Sequence, residues 1–230
     1  GASRVLVVEG ADYASKTSEA FELSGVKAVA EELGAEMVDV DTTPLTKVKV
    51  PDPLLIDELE ISKAFMDADV RINMPLMKTH DQLDVTLGIK NMKGVIPKYS
   101  KRDFHKKGVV KGVLDLNKAV PVDLTVLDAI VAMEGLGPAV GPKVELNTII
   151  SSADIYALDK VASRIMGFEL TELDYLVQAA EAGLTDLDEE PEVIGEPINA
   201  FTYRFERAPT GLNFAEGVTV ITKGACSACH

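Results

Sequence analysis

Two of the chain's three histidines, His80 and His105, fall in the window from Lys78 to Lys118, which also holds ten basic residues and four aspartates. That window carries +6, against −14 for the whole chain. Imidazole titrates near 6.5, so it gives or takes a proton at neutral pH, while neighbouring lysines can neutralise an anion. The combination predicts a site for a small anionic ligand bearing phosphate or carboxylate. Lys78, Lys90 and Lys93 are its expected cations, Asn91 and Gly94 stand beside them, and His80 or His105 is the expected proton-transfer group. The plainer reading of Lys101 to Lys111 is a solvated helix face that offsets acidic neighbours. That reading is weaker for Lys78 and His80, because they directly follow a strand-like run.

A second constellation follows the apolar run Leu124 to Met133. Residues 133–142 contain three glycines, Gly135, Gly137 and Gly141, and two prolines, a composition that shapes backbone. Gly135 and Gly137 could bring main-chain amides close to a phosphate or carboxylate. No Gly-Lys-Ser/Thr follows, so this is not a Walker loop, and the glycine spacing does not fit the dinucleotide fingerprint. A turn without a ligand is the alternative. Asp128 interrupts the apolar run, and a carboxylate in such a place is costly unless paired or bound to a cation. Asp128 is therefore either a lysine's structural partner or part of the site. Asp128 or Glu134 could orient an imidazole or a divalent metal ion.

The third feature is Cys226-Ser-Ala-Cys229-His230. Its spacing fits covalent haem attachment, half of a zinc or iron–sulfur site, a redox pair, or simply two thiols. Two cysteines cannot complete a four-cysteine cluster, so a metal or iron–sulfur cluster held by Cys226, Cys229 and His230 needs further ligands. This gives the alternative function: a metal-linked or iron–sulfur electron-transfer accessory with a redox partner protein. A scaffold that docks an acidic partner is the third.

The elements that must position these residues alternate between strand-like and helical patterns. Val5–Val8, a helix over Thr17–Leu33 ended by Gly34, and Met37–Val40 form a βαβ unit. A helix over Ile61–Ala68 leads to a strand Val70–Met74 that Pro75 ends, so Lys78, Thr79 and His80 lie just past a strand's carboxyl end, where α/β sites form. A helix is expected over Leu83–Val95, then a basic loop, then a helix over Val109–Val120. Leu124–Met133 reads as a central strand buried on both faces. A strand at Asn147–Ser151, helices at Ile155–Met166 and Glu172–Ala182 closed by Gly167 and Gly183, and strands at Glu192–Ile194 and Val218–Ile221 complete the pattern. Asp154 reads as a helix N-cap. The acidic stretch Asp186–Glu192 reads as a solvated loop.

The fold class is therefore α/β, a mostly parallel or mixed central sheet with helices on both faces in a Rossmann-like three-layer arrangement. The expected organisation is one domain over residues 1–230, with 198–230 peripheral. Its 230 residues are 47% hydrophobic, enough for a core, and its acidic balance opposes binding to nucleic acid or an anionic membrane. No apolar run approaches the roughly 20 residues of a membrane span. Two cysteines at the end of the sequence exclude a disulfide framework for its body, and a cytoplasmic location is the expectation. The opening Gly1-Ala2-Ser3-Arg4 lacks a Met, and the chain is expected to be a piece of a longer protein.

One ordered series of segments adds to this reading: Ala68-Asp-Val-Arg-Ile-Asn-Met-Pro-Leu-Met-Lys-Thr-His80, Gly88-Ile-Lys-Asn-Met-Lys-Gly94, Lys101 to His105, and Asp128 with Met133-Glu-Gly-Leu-Gly-Pro138. The series resembles the family called domain of unknown function 362, and the likeness runs from Glu9-Gly10 to Gly195-Glu196. It implies a prokaryotic soluble protein of a family in which some members are fused to ferredoxin-like iron–sulfur modules. The ferredoxin cysteine run itself is missing from these residues.

Overall fold

A computed structural model describes residues 1–12, 15–138, 140–201 and 203–208. In chain order the strands and α-helices are β1 (Leu6–Glu9), α1 (Thr17–Leu23), α2 (Val26–Glu32), β2 (Glu36–Asp39), β3 (Leu45–Lys49), β4 (Glu58–Ser62), α3 (Lys63–Met66), β5 (Ile72–Asn73), β6 (Leu76–His80), β7 (Asp84–Thr86) and α4 (Gly88–Asn91). A 3₁₀ turn (Met92–Val95) leads to α5 (Lys98–Lys107), α6 (Val109–Ala119), β8 (Leu124–Met133), β9 (Lys143–Ser152), α7 (Ile155–Ile165) and α8 (Asp174–Glu181). The protein is α/β, with parallel and mixed sheets, as its sequence predicts. Its described residues form two compact units: Gly1–Arg71 with Met92–Pro121, and Ile72–Asn91 with the described residues from Val122 on.

In the first unit β1 and β2 pair in parallel from Leu6↔Glu36 to Glu9↔Asp39, which realises the expected βαβ unit. Its helical stretch is two helices rather than one, because the chain turns at Gly25 with φ 77°. Of the helix expected over Ile61–Ala68, the residues of α3 form a single helical turn, while Ile61 and Ser62 end β4, which is antiparallel to β3. The basic stretch expected as a loop is α5, which turns Lys101 and Phe104 inward. α6 follows the prediction closely. Its buried Asp115 accepts the amides of Leu54, Leu55 and Ile56 at 2.7, 2.8 and 2.9 Å, tying down a proline-bearing loop.

In the second unit β8 is the central strand. β5 and then β6 run parallel along one edge of it, β9 runs antiparallel along the other, and β7 pairs with the outer edge of β6. Pro75 interrupts the strand rather than ending it: its carbonyl accepts the Asp128 amide at 2.8 Å and the chain resumes as β6. Lys78, Thr79 and His80 therefore lie within a strand, not beyond one, and all three are buried. The segment Leu83–Val95 is likewise β7, α4 and the 3₁₀ turn instead of one helix.

β8 spans the predicted residues but is buried along one face only, so Asp128 is exposed rather than embedded. Its Oδ1 accepts the Ile130 amide at 2.9 Å, where the β8–β9 register shifts. Asp154 caps α7 by accepting the amides of Tyr156 and Ala157, and Gly167 and Gly183 follow α7 and α8 with positive φ. Residues 192–194 form no strand. The acidic stretch is held as well as solvated: buried Lys160 donates to the carbonyls of Asp186 and Glu189, both at 2.7 Å. The strand expected at Val218–Ile221 lies outside the described residues.

Candidate functional site

In the first unit three segments converge on the carboxyl end of β1. Gly10 follows the strand, and a Cβ placed there would meet Lys101 Nζ at 2.9 Å, the Gly94 carbonyl at 3.3 Å and Val40 at 3.3 Å. Gly94, in the 3₁₀ turn, lies so close to Glu9 that a Cβ would stand 2.5 Å from its carboxylate. Glu9 Oε1 accepts the Gly10 amide at 2.8 Å. Lys101 reaches across from α5 and donates to the Gly10 and Ala11 carbonyls, the latter at 2.8 Å. Burial pushes its ammonium down from the usual lysine range, against the opposing pull of Glu9, Asp41 and Asp12.

Beside Gly94, Lys93 lies against His105. Lys93 Nζ lies 2.8 Å from His105 Nε2. With Lys93 as an ammonium, which only donates, Nε2 is the acceptor of this contact. Lys93 is buried and His105 exposed, so a charged stem is held inside while the imidazole faces solvent. His105 and Lys101 are four apart on α5, which puts both on the same helix face. Between Met92 and Pro121 there are eight basic residues and two aspartates, and one of those, Asp115, is occupied by backbone amides.

Thr17 Oγ1, at the start of α1, accepts the Ala11 amide at 3.0 Å and donates to Asp41 Oδ2 at 3.2 Å. Asp41 follows β2 and also pairs with Lys98, whose amide it accepts at 2.9 Å and whose ammonium lies 3.4 Å away. Glu9, Gly10, Asp12, Thr17, Asp41 and Lys101 received no role from residue spacing. The available signal was positional, since Glu9 ends β1, residues 10–12 follow it and Asp41 follows β2, the two strands of a parallel pair, where α/β ligands sit.

The other candidates belong to the second unit. Lys78 stands opposite Thr86 on β7 and Met133 on β8, and it and Lys90 are buried. His80 Nδ1 lies 3.0 Å from both the Gln82 amide and Asp81 Oδ1. The amide can only donate, so Nδ1 accepts and the ring proton sits on Nε2; the Asp81 contact becomes an ion pair only in the doubly protonated ring. Asn91 donates to Asn73 Oδ1 at 2.8 Å, and Asn73 in turn donates to the Gly88 carbonyl at 2.9 Å.

The glycine-proline loop is shaped from within. The Gly135 amide donates to the Glu206 carbonyl at 2.8 Å and the Gly137 amide to the Gly135 carbonyl at 2.7 Å, so both expected anion donors are already engaged. The Gly135 carbonyl accepts Thr79 Oγ1 at 2.9 Å. Glu134 accepts the Glu206 amide at 2.8 Å and the Tyr203 hydroxyl at 3.3 Å, which ties residues 203–206 to the loop. Among the described residues no group of three or more His, Cys, Asp or Glu side chains is placed to hold a metal ion. Cys226, Cys229 and His230 lie outside them.

Among the described residues, no helix is long and apolar enough to cross a membrane. No solved structure matches the chain. A curated relative, the thylakoid-associated protein sll1697 of the cyanobacterium Synechocystis sp., is 34% identical over 134 residues, which cover 56% of this chain and 42% of the relative. The chain thus spans less than half the length of that relative. The profile described as domain of unknown function (DUF362) matches residues 1–164. With most of its length matched, including both parallel strands of the first unit, the Lys93–His105 contact and the whole of β8, the chain belongs to the DUF362 family.

Proposed function

We propose that the first unit binds a small anion bearing phosphate or carboxylate beside the 3₁₀ turn and α5, with Lys93 and His105 as its direct partners. The observation that supports this most is the 2.8 Å contact between a buried ammonium and an exposed imidazole. An oxyanion placed against both would gain two charge-assisted hydrogen bonds. Lys101, by fixing the Gly10 and Ala11 carbonyls, shapes the neighbouring backbone rather than meeting the ligand. In the second unit, a role for Lys78 or His80 in binding an anion predicts that Lys78→Ala or His80→Ala abolishes that binding without unfolding the protein. The electron-transfer alternative draws no support from the described residues. The thylakoid association belongs to the longer relative, and this chain's charge of −14 opposes direct attachment to an anionic membrane.

Thermal unfolding in sulfate, phosphate, pyrophosphate and citrate, each matched in ionic strength with chloride, tests the proposal. The midpoint should rise with at least one oxyanion above chloride, and Lys93→Ala should abolish that rise. An equal response to chloride would overturn the reading.

A further inference from the structure

We infer that Asp159, Tyr175 and Ser163 form a buried proton latch on α4: when Asp159 takes a proton from solvent, the Tyr175 hydroxyl turns from Asp159 to Ser163, and the carboxyl keeps the Gly88 amide but gives up that of Ile89. The three side chains belong to the second unit and are apart from the proposed anion partners. The two oxygens of Asp159 are unequally held. Oδ1 accepts the Gly88 amide at 2.8 Å, whereas Oδ2 accepts the Ile89 amide and the Tyr175 hydroxyl, each at 3.2 Å. An added proton goes to Oδ2, the oxygen with the longer contacts. An amide N–H only donates while a hydroxyl both donates and accepts, so the new O–H has Tyr175 as its acceptor and the Ile89 amide faces a donor.

The proton of Tyr175 then needs another acceptor, and Ser163 supplies it. Ser163 lies one turn along α7 from Asp159, is fully buried, and its Oγ stands by the Tyr175 hydroxyl without a well-formed hydrogen bond. A buried hydroxyl left in that state is costly, and the reversed arrangement satisfies it. α4 is a single turn, tied to α7 by Asp159 and to β5 by Asn91, so loss of the Ile89 bond to Asp159 loosens the turn that carries Lys90 and Asn91.

On α7, Asp154 opposes ionisation of Asp159 and Tyr156 lies close to it, while Lys160 is turned to the Asp186 and Glu189 carbonyls and Arg164 to Glu190. The elements packed on α7 and α8 add Lys90 from α4, Asp128 from β8, Lys143 and Glu145 from β9, and Glu172 from the 3₁₀ turn Leu170–Glu172. Asp174 and Glu181 lie on α8 itself, and Asp84 of β7 faces Tyr175. Asp84 and Glu172 pair with Arg207, and Asp128 accepts the Ile130 amide on the open face of β8. Burial is the largest influence on Asp159 and raises its carboxyl to about 7, which brings the latch into the neutral range.

The test follows the Asp159 carboxyl carbon and the Gly88 and Ile89 amides by NMR, in the intact isotope-labelled chain, from pH 5 to pH 9. The carboxyl should titrate near neutrality. As it takes its proton the Ile89 amide proton should move upfield with the same midpoint, and the Gly88 amide should move less. Asp159→Asn should leave both amides without that titration. Ser163→Ala removes the acceptor that only the protonated arrangement needs, so the Asp159 midpoint should fall, by up to about one pH unit. A carboxyl that stays ionised down to pH 5, amides that titrate as before in Asp159→Asn, or a midpoint unchanged or raised in Ser163→Ala would each overturn the latch.

Discussion

Asp159 Oδ1, on α7, accepts the Gly88 amide at 2.8 Å from 71 residues further along the chain. The same carboxylate accepts the Ile89 amide and the Tyr175 hydroxyl, each at 3.2 Å. It thereby caps α4, the turn that carries Lys90 and Asn91. Gly88 is required here, since a Cβ would stand 2.9 Å from Asp159 Oδ1 and from Ile155.

Burial pushes the Asp159 carboxyl up to about 7, even though the two amides and Tyr175 hold it down. The folded state therefore binds a proton more tightly than the unfolded chain, whose aspartate titrates near 3.9. Between about pH 4 and 7 this group lowers stability as pH rises, by at most about 4 kcal/mol. Denaturant unfolding at pH 5 and pH 8 checks the sign. Asp159→Asn should show a smaller difference between the two pH values than the unsubstituted chain, and an unchanged difference would refute the assignment.

Asp115→Ala removes the acceptor of three amides from a side chain that is fully buried. Because those amides belong to a loop that water partly reaches, the expected loss is about 2–3 kcal/mol. Equilibrium unfolding in urea measures it.

Gly137→Ala places a Cβ against the Thr79 carbonyl and hydroxyl, both fixed in the middle of β6. Overpacking against backbone should destabilise the protein by about 1–3 kcal/mol. A midpoint equal to that of the parent chain would show that the loop shifts freely away from β6.

Lys101→Met leaves the Gly10 and Ala11 carbonyls without their donor. The expected cost is about 1–3 kcal/mol. Sulfate affinity should weaken less than in Lys93→Ala, because Lys101 acts through the backbone. A greater loss in Lys101→Met, at temperatures where both variants are folded, would make Lys101 the direct partner.

Features fixed by local chemistry were legible in the sequence. β8 was visible as an apolar run, α7 from Asp154 to Gly167, and α6 from its periodicity before Pro121. What escaped depends on distant partners. Pro75 read as a strand end, yet parallel pairing with β8 carries the chain on into β6. α5 read as a loop because its sequence is mostly charged, and its helix is anchored inward by Phe104 and by a lysine whose acceptors lie 91 and 90 residues away. Asp128 read as buried because its neighbours are apolar, but alternation along β8 turns it to the open face. Of the candidate site, the concentration of lysines and histidines around Lys93 and His105 was visible in the sequence. It could not show that Glu9 meets Gly94 and that Gly10 meets Lys101, since that requires the parallel β1–β2 pair to be folded.

The most direct test is to follow the imidazole nitrogens of His105 by NMR, in protein labelled with ¹⁵N-histidine, while sulfate is added at pH 7.5 and constant ionic strength. His105→Gln assigns the signals. The account predicts that the His105 imidazole signals move in step with the sulfate-dependent rise in unfolding midpoint. A His105 signal that stays fixed while sulfate stabilises the protein would contradict it and place the anion elsewhere.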